Sequence, residues 1–220
     1  MKTIWSGSIL TALVCGSAIA GPDWTEVGDA GSFVATAQTP LGVGAISSIS
    51  GTLGGEGSAG DFEDMYIIQV DAPTSFRLEL LNPNFDAQLF VFNITLAGGG
   101  LGLLANDNAD ANTDAPLLTN LSTDGSNAVL DLPGVYAVAV AGAGRNPVSN
   151  SGLIFDFASP TEISGADGPG GLLRHTGWVG EGAVGAYAID LQGVDFAKIP
   201  SPAGFVMLGA GVLACRARRR

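Results

Sequence analysis

Apolar and polar residues alternate strictly across residues 75–81, with Phe76, Leu78 and Leu80 in one set and Arg77 and Glu79 in the other. A period of two puts these sets on opposite faces of a β-strand, one toward a core and one toward water. Residues 65–70 and 88–93 are instead apolar at nearly every position, the pattern of interior strands covered above and below. Further strands are predicted at 46–53, 102–105, 128–132, 134–141 and 186–191, with weaker ones at 153–157 and near 33–39. Pro73, Pro83, Pro133 and Asn/Asp/Gly clusters punctuate them, as turns require. No stretch keeps a 3.6-residue apolar period over ten residues, and no fixed-period repeat is present. The pattern predicts one all-β domain built as a single antiparallel β-sandwich.

Composition supports this and narrows the chemistry. Glycine occupies 33 of 220 positions, about twice the usual share of roughly 7%, which suits a turn-rich chain. With 21 acids against 9 bases the formal net charge is −12; such a surface repels phosphate backbones and anionic lipid headgroups, so nucleic acid is excluded as a partner. One histidine, His175, and two cysteines, Cys15 and Cys215, exclude a His-rich metal site and a disulfide framework.

The two ends read as delivery signals. Met1-Lys2-Thr3, an apolar run and Ala18-Ile19-Ala20 form a secretory signal peptide over residues 1–20, which removes Cys15 from the mature chain. At the other end, uncharged residues 203–215 are followed by Arg216, Arg218, Arg219 and Arg220. As a short apolar helix they span about 20 Å of a hydrocarbon core about 30 Å thick, a marginal membrane stop with its arginines held on the cytoplasmic side. Residues 21–197 then form the exported body, and 198–220 a sorting and anchoring segment. That body holds all 21 acids but only Arg77, Arg145 and Arg174, a net charge of −18, and no cysteine. It should stay soluble and can hold divalent cations.

Pro200-Ser201-Pro202, the short apolar segment and the terminal arginines resemble the PEP-CTERM sorting signal, with Ser201 where that family usually has Glu. The resemblance implies an exosortase-like processing enzyme as partner and transient membrane retention through the C-terminal helix. The body carries a second resemblance. Asp61-x-x-Asp64-Met65-Tyr66, the run from Phe85 to Phe92, Leu104-Ala105-Asn106-Asp107-Asn108, and Leu132-Pro133-Gly134-Val135-Tyr136 are similar to the bacterial pre-peptidase C-terminal type of domain, as are Gly177-Trp178 and Tyr187-x-Ile189-x-Leu191. This covers about residues 46–194 and implies a jelly-roll-like β-sandwich. Such domains are noncatalytic as a rule; some bind calcium and some bind polymers.

The strongest chemical signal is the loop from Asn106 to Asp114, where oxygen-bearing side chains recur at every second position as a hard cation with six to eight oxygen ligands would require. It is not an EF-hand, because the sixth and twelfth positions are Ala111 and Leu117. The same composition also suits a surface loop of Asx turns. The family resemblance adds Asp61, Asp64 and Asp86 to Asn106, Asp107 and Asp110 as ligands, and the expectation is one calcium shared by Asp61, Asp64, Asp107 and Asp110. Gly180-x-Gly182-x-x-Gly185 and Gly100-x-Gly102-x-x-Ala105 lack the strand–helix context of a dinucleotide site and are turns. His175 has no Gly-x-Ser-x-Gly elbow to serve and is expected to be an exposed, non-catalytic residue. Residues 142–185 are expected to be a long irregular segment that carries specificity.

These readings predict an exported protein of the cell surface or extracellular matrix with no catalytic activity. Two alternatives stand beside it. One is a carbohydrate-binding module that stacks extracellular polysaccharide on loop residue Trp178; the other is a secreted hydrolase using paired carboxylates on polysaccharide or peptide.

Overall fold

The computed structural model describes residues 22–54 and 60–198. The expected signal peptide at 1–20 and the expected sorting and membrane-stop residues Pro200, Ser201, Pro202, Arg216, Arg218, Arg219 and Arg220 lie outside the described residues. Among the described residues the chain is all-β and consistent with a β-sandwich, with a single 3-10 turn at Pro73–Ser75 and no α-helix.

The larger sheet has six strands in the order β11 (Ile163–Gly165), β6 (Gly100–Asn106), β5 (Ala87–Ile94), β8 (Gly134–Gly142), β3 (Glu63–Val70) and β14 (Val194–Phe196), every neighbouring pair antiparallel. The second sheet runs β1 (Asp23–Thr25), β2 (Ser48–Thr52), β13 (Ala186–Gln192), β4 (Arg77–Leu80) and β7 (Leu117–Thr119), antiparallel except for the parallel pair β1 and β2. A third, small sheet comprises β10 (Gly152–Leu153), β9 (Asn146–Ser149) and β12 (Gly177–Val179).

The doubly apolar strands are the middle of the larger sheet, as their pattern requires. Their inner faces place Tyr66, Ile68, Leu89, Val91, Val138 and Val140 against Ile49, Leu78, Leu118 and Ile189 of the second sheet. Their outer faces carry Met65, Phe90, Phe92, Ala137, Ala139 and Ala141 in a separate cluster completed by Ile154 and Phe155, with half-buried Trp178 packed on it. Phe90 lies opposite Ala139 and Phe92 opposite Ala137. Small residues on β8 thus leave room for large ones on β5, and each ring so buried stabilises the fold by about 1.5–3 kcal/mol.

Four expectations are corrected. Residues 142–185 contain β9, β10, β11 and β12 and supply the cover for the outer face. Residues 33–39 form a turn closed by Thr36 N–H to Phe33 O, with an isolated bridge from Gln38 to Tyr66. Residues 128–132 retain one bridge, Leu121 to Val129. Of 153–157 only Leu153 is in a strand, because Ile154 and Phe155 turn inward to seal the aromatic cluster. Strands β1, β7, β9, β11, β12 and β14 have three or four residues, too few to show a period.

Register sets up the site. β3 and β5 both run antiparallel to β8, so both begin at the same end of the larger sheet, where β6 finishes. The acids Asp61, Asp64, Asp86 and Asp107 are therefore gathered at one end of the molecule.

Candidate metal centre

Asp64, the second residue of β3, points into the inter-sheet core, on the same face as Tyr66 and Ile68, and is 0% exposed. Its Oδ2 accepts a 2.5 Å hydrogen bond from the Tyr187 hydroxyl of β13, which is itself 2.5 Å from the Tyr66 hydroxyl. Its Oδ1 is buried without a partner. A buried carboxylate with an unsatisfied oxygen costs free energy unless a proton or a cation joins it.

Glu26 and Asp29 face it from the segment after β1. Glu26, Asp29 and Asp64 each offer a carboxylate oxygen within 4.8 Å of the others, and they are the one such trio among the described residues. The local chain is built for this. Glu26 Oε2 accepts the Thr52 N–H and its Oε1 the Ala30 N–H, tying the segment to the end of β2. Asp29 Oδ1 accepts the Gly31 N–H, and Gly28, with φ 72°, permits the bend between the two acids. Gly51 is needed for a different reason: a Cβ there would run into the Tyr187 hydroxyl and the Glu26 carboxylate. Asp61 stands beside the trio with Oδ2 on the Gly54 N–H.

Electrostatics reflect the crowding. Burial, reinforced by Glu26, Asp61 and Asp29 and opposed by the Tyr187 hydrogen bond, pushes the Asp64 carboxyl up to about 8. Burial and the neighbouring acids push Asp61 up to about 6, and burial raises Glu26. Both tyrosine hydroxyls are held above their ordinary range by burial. The donor set is all oxygen, and each carboxylate oxygen that accepts one hydrogen bond keeps a second lone pair. Glu26, Asp29 and Asp64 are thus placed so that they could hold a metal ion, and an all-oxygen donor set suits a hard one.

The loop acids do not join them. Asp64 pairs with Val140, Val140 with Leu89 and Leu89 with Asn106, so β8 and β5 lie between. Three strand spacings make about 14 Å, whereas calcium ligands lie about 2.3–2.6 Å from the ion. A single calcium shared by Asp61, Asp64, Asp107 and Asp110 is therefore ruled out. Asn106 is occupied structurally: its Oδ1 accepts the Leu117 N–H and its Nδ2 donates to the Asn108 and Glu162 carbonyls. Asp110 Oδ1 closes an Asx turn on the Asn112 N–H. Asp107 is half-buried, and burial followed by the Asp86 charge pushes its carboxyl up to about 6; burial also raises Asp86.

The other candidates are placed inside the fold. His175 is buried and sandwiched between Phe33 and Phe92, with centroids 5.1 and 5.3 Å away, and burial lowers its pKa to about 4. Trp178 lies in β12, set edge-on to Phe90 and His175, and its Nε1 donates to the Ser32 carbonyl. Glu26 and Asp29 escaped the sequence reading. Their only signal is an acid spacing of three beside Gly28, and nothing local connects it to Asp64.

No protein-family model matches the chain, and no curated protein matches it.

Proposed function

We propose that this chain is an exported, non-catalytic protein of the cell surface or extracellular matrix. Its body is a jelly-roll-like β-sandwich stabilised by calcium, and its PEP-CTERM-like tail directs sorting through an exosortase-like enzyme. The observation that carries the calcium part is the buried Asp64 carboxyl, which keeps one oxygen unpartnered and has a carboxylate oxygen within 4.8 Å of one from each of Glu26 and Asp29. Bound calcium would cancel the repulsion among these acids and clamp the Glu26–Asp29 segment to β3, joining the start of the domain to its core. Sites of this kind suit the calcium concentrations outside cells, where modules bind at about 10⁻⁴–10⁻³ M. Export is supported by the leader and by a body with a net charge of −18.

His175 packs against the rings of Phe33, Phe92 and Trp178, which favours a packing role for this side chain. Polysaccharide stacking on Trp178 has less support, because its ring packs on Phe90 and Phe92.

The test is thermal unfolding of the mature protein in chelator and in calcium. Calcium at a hundredfold excess over Kd adds about 2.7 kcal/mol, a rise in Tm of about 5–10 °C. An unchanged Tm rejects the calcium reading. Cell fractionation with intact-mass measurement tests export and both cleavages; an uncut chain in the cytosol rejects sorting.

A further inference from the structure

Residues 27–38 form a loop closed at its neck by one side chain: Gln38 Nε2 donates to the Val27 carbonyl, and Gln38 Oε1 accepts the Val27 N–H. The Gln38 backbone is fixed in turn to the edge of β3 beyond its pairing with β14, its N–H on the Met65 carbonyl and its carbonyl on the Ile67 N–H. Between these ends the chain passes round that edge. Ala30 is buried in the inter-sheet core, whereas Val34 and Ala37 pack on the outer-face cluster. A closed surface loop packed by its own side chains is an Ω-loop.

This loop joins the two unusual places in the molecule. Glu26, just before the neck, and Asp29, just inside it, each hold a carboxylate oxygen within 4.8 Å of one from Asp64. A few residues further on, the Ser32 carbonyl accepts the Trp178 indole N–H at 2.8 Å and Phe33 stacks on His175 at 5.1 Å. Only Ala30 and Gly31 separate Asp29 from Ser32, and Ala30 is wedged in the core, so a displacement of Asp29 is passed on to the tip. The neck bonds are exposed and Phe33 keeps 38% of its surface in water, marks of a segment that opens at low free energy.

With the loop lifted, Asp29 leaves the trio, so a cation binds the docked form more tightly. Such a difference in affinity is what shifts an equilibrium, and linkage makes its effect reciprocal. Resting on the reading of Glu26, Asp29 and Asp64 as a cation site, we propose that residues 27–38 are a cation-held cover. An ion at the neck keeps Ser32 and Phe33 down on Trp178 and His175, and those contacts tighten the ion in return. Removing the ion frees the tip and uncovers His175 and Trp178.

The test pairs calcium titration calorimetry on the metal-stripped mature protein with hydrogen exchange read by mass spectrometry. Calcium should slow amide exchange not only next to the carboxylates but across residues 32–38. Phe33→Ala, which removes no ligand, should bind calcium at least about fivefold more weakly, the low end of ordinary coupling between sites. Should Phe33→Ala not fold, Trp178→Phe keeps a ring, removes only the bond to Ser32, and should weaken calcium at least about twofold, within the contribution of one hydrogen bond. Calcium that binds wild type but leaves exchange over 32–38 unchanged, or binds the folded variant as tightly as wild type, overturns the coupling and leaves the metal centre standing. A wild type that takes up no calcium rejects the metal centre itself, and the coupling with it.

Discussion

The Tyr187 hydroxyl of one sheet donates to Asp64 Oδ2 of the other across a 2.5 Å gap, inside the core and at the end where Glu26 and Asp29 converge. This contact links the packing of the sandwich to the charge state of the candidate metal centre.

Replacing Asp64 separates the two roles of its carboxyl. Asp64→Asn keeps the shape and the hydrogen bond from Tyr187 but supplies no charge for a cation. The variant should lose most of the calcium-dependent rise in Tm while melting cooperatively, as calorimetry with and without chelator would show. A full calcium response in the variant would place the ion elsewhere.

The metal-free protein should lose stability as pH rises from about 4 to about 8. Asp64 is raised to about 8 in the fold from an ordinary value of 3.8, and Asp61 to about 6. The folded state therefore holds protons that the unfolded chain releases above about pH 4. The associated stability is complete below that point and is lost as pH rises through about 8. Melting in chelator from pH 4 to pH 8.5 should show a falling Tm that Asp64→Asn flattens. A Tm difference between wild type and Asp64→Asn that does not change over this range contradicts the assignment.

His175 works in the opposite direction. Its folded pKa of about 4 lies below the ordinary 6.5, so the unfolded chain takes up a proton first and stability declines as pH falls from 6.5 through 4. His175→Phe preserves a ring between Phe33 and Phe92 and removes the proton uptake. The difference in Tm between variant and wild type should grow in favour of the variant on acidification; a constant difference would show that His175 does not carry this term.

Trp178 should matter to stability more than to retention on polymer. Trp178→Ala opens the cover over Phe90 and Phe92 and removes the bond to the Ser32 carbonyl. The cost is at least about 2 kcal/mol, below the range of about 3–5 kcal/mol for fully buried aromatic rings. Denaturant unfolding measures it. Polysaccharide pull-down at a temperature where both proteins are folded should be unchanged, and a selective loss of retention would restore the carbohydrate-binding reading.

Gly142→Ala tests the crossing of residues 182–183 over the end of β8. A Cβ at 142 would collide with the backbone of Gly182 and Ala183, which cannot rotate away as a side chain can. A loss of about 1–3 kcal/mol or more follows, readable as a lower denaturant midpoint with an unchanged slope. A neutral substitution would mean that the 182–183 segment does not lie on β8.

The alternation over 75–81 and the doubly apolar runs at 65–70 and 88–93 determined by themselves that the described body of the chain is β and which of its strands are central. Periodicity is local: it reports how many faces of a strand are buried from a handful of consecutive residues. For the same reason the sequence alone identified Asp61 and Asp64 as notable acids through a motif beside a strand. It could not say which other acids stand next to them. Strand order and register decided that, by inserting β8 and β5 between Asp64 and Asn106 and bending the Glu26–Asp29 segment over Gly51. Folding of 142–185 across Phe90 and Phe92 likewise buried His175 and half-buried Trp178, whose Gly-rich surroundings look like exposed loop in one dimension. Convergence of side chains far apart in the chain is a property of how sheets pair and stack, and only the tertiary structure contains it.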